Sequence, residues 1–186
     1  MNHFFRRRLG PIYGFRQTAG FTLAEGLIVV GLIGVLAAIA TPSLMGFLNQ
    51  RKINMTRDMV YQALRATQAD AMQHRHDRRF SLRQRDGRIE WASHSDRTLA
   101  SQVVVWQPLV DGVVFAPIDN TMLKSGDIYY VKFDMHGNVK ARLSTVTVAM
   151  AGDKRTHRCV VVSTLIGAMR KGEGQAQANS NGRSCY

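Results

Sequence analysis

A carboxylate in apolar surroundings constrains the chemistry of this chain most. Glu25 is the one charged side chain in Phe21–Thr41, FTLAEGLIVVGLIGVLAAIAT. An ionisable group inside such a run is costly and calls for a partner that lowers the cost. Near a membrane surface the side chain would snorkel to water. If the chain were cut between Gly20 and Phe21, the new amine of Phe21 would lie one helical turn from Glu25, where the same or a neighbouring subunit could pair the two charges.

The other chemistry-bearing residues are less organised. His74 and His76 flank Arg75 beside Asp77, with no third ligand near in sequence, so no metal site is read there. Ser163 stands in an apolar run without the G-x-S-x-G turn that exposes a nucleophile. The chain is therefore read as a non-enzyme with no cofactor and no metal. The two cysteines, Cys159 and Cys185, are too few for a zinc ribbon and too far apart for a redox CxxC. In an oxidising compartment they would close a loop of about 25 residues, worth ~3 kcal/mol; two unpaired thiols are the alternative. The segment they enclose, residues 172–182, is rich in Gly, Gln, Ala, Asn and Ser, a composition that wanders unless tethered.

Basic residues gather in one stretch: Arg51 to Arg88 holds ten bases and four acids. Strand alternation sets Phe80 and Leu82 on one face and Arg79, Ser81, Arg83 and Arg85 on the other, so three guanidinium groups share an exposed face that could track phosphates. A solvated sheet face, or contact with acidic neighbouring subunits, explains the same pattern. Arg170, Lys171 and Arg183, with Lys154 and Arg158, form a second basic region.

These groups must be positioned by a chain of 186 residues, 45% apolar and 20% charged, which suits one folded domain plus an appendage. Twenty-five Lys and Arg against 13 Asp and Glu give a net charge of +12, so an acidic partner such as nucleic acid or anionic lipid has to be weighed. The first 20 residues hold Arg6, Arg7, Arg8 and Arg16 and no acid. The apolar run that follows is long enough to cross a bilayer as a helix, and the basic leader keeps the N-terminus cytoplasmic. A cleaved secretory signal would carry its small residues after the apolar run; here Ala19 and Gly20 precede it.

Beyond Pro42, Leu44, Phe47, Leu48, Ile53, Val60, Leu64 and Ala71 are spaced mostly three, four or seven apart, which predicts an amphipathic helix to about His74. Its cover is expected from later strands. Phe80–Arg85 and Arg88–Trp91 flank Asp86-Gly87, a two-residue hairpin signal. Val103–Trp106, Val113–Phe115, Asp127–Phe133, Val139–Leu143, Val146–Met150 and Arg158–Ser163 are the further strand candidates. One long helix against an antiparallel sheet is an α+β arrangement.

Gly20-Phe21-Thr22-Leu23-Ala24-Glu25 followed by an apolar helix resembles the processing site of type IV prepilins and type II secretion pseudopilins, although Ala24 and Gly26 replace bulkier residues of the usual pattern. The resemblance implies cleavage after Gly20 by prepilin peptidase, N-methylation of Phe21, and pairing of Glu25 with a subunit N-terminus during assembly. Pro42 falls where such helices carry a bending proline. Three further passages resemble the GspH/FimT branch of minor pseudopilins and minor pilins: Leu64-Arg65-Ala66-Thr67-Gln68-Ala69-Asp70-Ala71, Phe133-Asp134-Met135-His136-Gly137-Asn138, and Val161-Val162-Ser163 with Gly167 and Arg170. The Gly-Arg-x-Arg tail of DNA-binding FimT proteins appears only as Gly167-Ala168-Met169-Arg170, without its first arginine. Organisation by this resemblance is a leader at 1–20, a transmembrane helix at 21–41, an amphipathic continuation at 42–76, and a periplasmic β-rich domain at 77–186 with a flexible C-terminal loop. The implied partners are other pilin or pseudopilin subunits and the inner-membrane assembly platform, with DNA, for uptake, as the alternative. The pattern does not choose between a secretion pseudopilus and a type IV pilus. A monomeric membrane-tethered domain is the third reading, and it has no need of Glu25.

Overall fold

The computed structural model describes residues 20–99, 102–103, 105–116, 118–153 and 156–186. The leader arginines and Lys154 lie outside the described residues. The chain divides into two units, Met1–Ser43 and Leu44–Tyr186.

Helix α1 runs Leu23–His74 and passes through Pro42. Proline cannot donate to the carbonyl four residues back; at the preceding residue, the Thr41 hydroxyl donates to the Ala37 carbonyl at 2.7 Å. The helix ends without glycine. Arg75 takes the left-handed conformation (φ 53°), and His76 N–H reaches back to the Ala71 carbonyl at 3.2 Å, the backbone pattern of a Schellman cap.

In the second unit, all strand pairs are antiparallel. The strands are β1 (Arg78–Arg85), β2 (Arg88–Ser95), β3 (Gln107–Pro108), β4 (Val113–Phe115), β5 (Leu123–Ser125), β6 (Ile128–Phe133), β7 (Val139–Lys140), β8 (Thr145–Met150), β9 (His157–Val162) and β10 (Met169–Glu173). One sheet has the order β3-β2-β1-β6-β5 with β7 also on β6; the other has β10-β9-β8-β4. The architecture is α+β, as the sequence leads one to expect. At the β1–β2 turn Asp86 and Gly87 both have positive φ (51° and 76°), which matches the strand twist and sets Arg85 opposite Arg88.

Ile53, Val60, Ala63, Leu64 and Ala71 of α1 pack with Phe80, Leu82, Ile89, Val131 and Phe133 of the first sheet and Val146, Val148, Val160 and Val162 of the second. One core therefore joins both sheets to the helix. It begins at Ile53: Leu44, Phe47 and Leu48, expected on the same covered face, are 56%, 57% and 43% exposed. The expectation fails there because α1 has one continuous apolar pattern and the sheets reach only part of it.

Other differences are local. Val103, Val105 and Trp106 form no strand, since Gln102 N–H turns back to the Leu99 carbonyl and the Trp106 indole donates to the Val103 carbonyl; pairing starts at Gln107. Strand β7 stops after Lys140, where Ala141 adopts φ 83°. Residues 172–182, expected as a flexible loop, begin inside β10.

Candidate functional site

Thr22 and Glu25 close the first turn of α1 on each other. The Thr22 hydroxyl accepts from Glu25 N–H at 3.2 Å, and the Glu25 carboxylate accepts from Thr22 N–H at 3.5 Å, a reciprocal capping box that satisfies two otherwise orphaned donors. Thr-x-x-Glu is legible in the sequence as this signature, yet attention to Glu25 as a charge passes over it. The carboxylate thus has a partner in its own chain, at the end of the helix where negative charge is favoured. Gly20 and Phe21 are exposed, Phe21 by 83%.

From Leu27 to Leu48 the large apolar side chains of α1 are exposed, and α1 is long and apolar enough to cross a membrane. It is the one such helix among the described residues.

The three passages cited for the GspH/FimT resemblance meet at Gln68. Its side-chain amide, buried, donates to the carbonyls of Gly137 at 2.8 Å and Gly167 at 3.2 Å, and lies 3.5 Å from that of Ile166. Both glycines have positive φ (82° and 77°). A Cβ on Gly137 would stand 2.8 Å from Met72 Sδ, and one on Gly167 would collide with the Gln68 amide and stand 2.6 Å from the Gly137 carbonyl. A polar residue on the helix and two glycines in distant turns are therefore one arrangement. The 133–138 turn is set by Asp134, whose Oδ1 accepts from the N–H groups of His136 and Asn138, each at 2.8 Å. Burial alone would raise the Asp134 pKa, but these hydrogen bonds outweigh it and hold the carboxyl below its usual range.

The basic residues are not assembled into a free stripe. Arg79 pairs with Asp96 at 2.6 Å and lies over the Tyr130 ring; Lys132 shares the same carboxylate at 3.2 Å. Arg83 pairs with Glu90 at 2.6 Å and stacks on Trp106. The Arg79 and Arg83 side chains are 16% and 24% exposed, so the face expected to present three guanidinium groups is closed by its own acids and rings; cross-strand register places Glu90 directly opposite Arg83. Desolvation would raise the Asp96 pKa, yet the hydrogen bonds from Arg79 and Lys132 pull it below the usual value. Arg85 stays exposed at the β1–β2 turn, 3.9 Å from Asp86. In the second basic region Lys171 pairs with Asp58 at 3.0 Å, Arg170 is exposed on β10, and Arg183 stands in the C-terminal turn.

Beneath the first of these faces lies a buried Ser81–His94 pair. His94 Nδ1–H donates to the Ser95 carbonyl at 2.9 Å, which leaves Nε2 to accept from the Ser81 hydroxyl at 2.9 Å. This is the tautomer of a hydrolytic dyad, but Ser81 is 0% and His94 7% exposed, so no substrate reaches either. Burial, helped by Arg79 and Arg78, lowers the His94 pKa against the opposing pull of the Ser95 carbonyl and Asp96.

Cys159 and Cys185 form a disulfide with Cα atoms 6.2 Å apart. The bridge holds the C-terminus against the outer side of the second sheet, where Cys159, Val161 and Cys185 make a small core of their own. Asp119, at φ 60°, accepts from Ser184 N–H, Ser184 Oγ and Cys185 N–H at 2.6 to 2.8 Å. Gly172 is required there: a Cβ would stand 2.7 Å from Cys159 Sγ. Among the described residues no group of three or more His, Cys, Asp or Glu side chains could hold a metal ion.

No protein-family model matches the chain, and no curated protein matches it. Among solved structures, the chain is similar to the type IV minor pilin FimU of Pseudomonas aeruginosa, with a TM-score of 0.45 and 10% identity over 67% of this chain and 90% of that one.

Proposed function

We propose that the chain is a minor pilin or pseudopilin subunit of the GspH/FimT type, held in the inner membrane by a single N-in helix with its β-rich domain in the periplasm. Prepilin peptidase cleaves between Gly20 and Phe21, Phe21 is N-methylated, and the subunit enters a type IV pilus or type II secretion pseudopilus through the assembly platform and other pilin subunits. The observation that carries this reading is the helix itself. It follows the Gly20-Phe21-Thr22-Leu23-Ala24-Glu25 start, runs Leu23–His74, and leaves every large apolar side chain from Leu27 to Leu48 exposed among the described residues. Ion pairing of Arg79, Arg83 and Lys171 speaks against the alternative of a DNA-binding minor pilin, because phosphate contacts need unspent charge.

Processing is tested by intact mass, with a mature chain beginning at Phe21 expected and a chain still beginning at Met1 excluding it. Assembly is tested at Glu25 with two variants. Glu25→Gln keeps the capping box but removes the charge; Glu25→Ala removes both. If the carboxylate pairs with a subunit amine, both variants are processed and both co-purify poorly with filaments or partner pilins at equal membrane levels. Wild-type recovery of Glu25→Gln with loss of Glu25→Ala makes Glu25 a helix cap and removes its assembly role.

A further inference from the structure

The turn between β9 and β10 pairs a rigid backbone with exposed apolar side chains. Leu165 and Ile166 at its tip are 66% and 73% exposed. Their backbone is nevertheless tied on every side. The Leu165 carbonyl accepts from Val139 N–H at 2.7 Å, the Gly167 carbonyl accepts from Gln68, Gly167 N–H closes the turn on Thr164 at 3.0 Å, and Ala168 N–H donates to the Thr164 hydroxyl at 3.0 Å. Loops that carry large apolar groups into water without a use for them are seldom so fixed; a pre-ordered anchor loses little entropy on docking. Met135, in the neighbouring turn, and Met72, one helical turn beyond Gln68, add 48% and 46% exposed thioether side chains around the same arrangement.

The border of this knob is cationic. Arg142 and Arg170 are exposed and make no ion pair among the described residues, and Arg65 donates only to Gln68, at 3.5 Å. Of the nearby acids, Asp70 is paired with His74 and Arg78, and Asp134, bonded by the N–H groups of its own turn, leaves one negative charge against three arginines. Beyond Gly20 the chain still holds 25 − 4 = 21 Lys and Arg against 13 Asp and Glu, so a second copy would bring a like excess of base to the contact and be repelled.

We infer that Leu165 and Ile166 form a docking knob for a different protein, one that offers an apolar depression bordered by Asp or Glu side chains. This does not depend on the filament reading. A benzophenone amino acid at position 166 of the full chain, made in its producing cells, is the probe, with the exposed position 181 as control. The expected product is a crosslink to another protein, the linked peptide lying in an apolar surface with carboxylates at its edge. Arg142→Glu with Arg170→Glu cuts its yield at least about tenfold, and changing the partner's bordering carboxylate to Lys restores it. Both arginines are exposed, so the fold persists; retention of the Cys159–Cys185 bridge checks this. A product no stronger than at position 181 overturns the inference. So does a crosslink to a second copy, to lipid or to nucleic acid, a yield indifferent to charge reversal, or a failed restoration.

Discussion

Helix α1 contains two stretches of apolar side chains with opposite fates. Between Ile53 and Ala71, eight side chains are buried beneath the sheets, two of them threonines whose hydroxyls return to carbonyls four residues back. Between Leu27 and Leu48 the large apolar side chains stay exposed. The sheets bury the first half, and it owes its place to them. The second stays uncovered among the described residues, and exposed apolar surface of this extent calls for a cover. Apolarity in a helix therefore says that something must cover it, and the rest of the chain decides how much of the cover is internal.

Substitutions on the two halves should separate cleanly. Leu64→Ala removes a side chain with 0% exposure and should cost about 3 to 4 kcal/mol in urea unfolding of the full chain in micelles. Leu36→Ala, at 58% exposure, should leave the same unfolding midpoint within about 0.5 kcal/mol. Equal losses would mean that the two halves unfold as one cooperative body. The next largest effect concerns the outer side of the second sheet, closed by the C-terminus. Cys185→Ser should cost about 3 kcal/mol and expose residues 174–186 to proteolysis before the rest of the domain; simultaneous cleavage throughout would contradict a separately tethered tail. Smaller again, Gln68→Ala strands two turn carbonyls and should cost about 2 kcal/mol. Gln68→Glu should fare no better, because a carboxylate cannot donate to them.

What the sequence reveals follows the same division. The helix, the β1–β2 hairpin, strand β4 and the α+β class are legible because each rests on local periodicity or on a turn that needs particular residues, such as Asp86-Gly87. The end of burial at Ile53 is not legible, since Leu44, Phe47 and Leu48 carry the same helical spacing as the covered positions. Strands β3, β5 and β10 are missed for a related reason. They are short and polar, with sequences QP, LKS and MRKGE, and are held by pairing with neighbours rather than by an alternation of their own. Arg79, Arg83 and Lys171 read as free charge because their acids, Asp96, Glu90 and Asp58, lie on other elements or across a hairpin. The role of Gln68 is closed to sequence, since its two glycines are 69 and 99 residues away.

The smallest effect is the pH dependence of the Ser81–His94 pair, which separates a face closed by polar groups from one closed by apolar burial. The folded-state pKa of His94 is lowered, while the unfolded chain titrates near 6.5. Below 6.5 the unfolded state binds the proton first. The contribution of neutral His94 is therefore fully present above that pH and is lost as pH falls towards the folded pKa. The slope cannot exceed about 1.4 kcal/mol per pH unit for one site. Asp58, Asp96 and Asp134, also lowered, act in a separate window, because their unfolded value is 3.8 and their stabilisation is lost only below it. Urea unfolding at pH 7.5 and 5.5 should show the wild type losing stability on acidification. His94→Gln, which cannot titrate, should show a smaller loss. Equal losses in the two proteins would mean that protonation of His94 is met by a rearrangement of the Ser81–His94 pair that costs nothing, and that the polar closure of this face is not rigid.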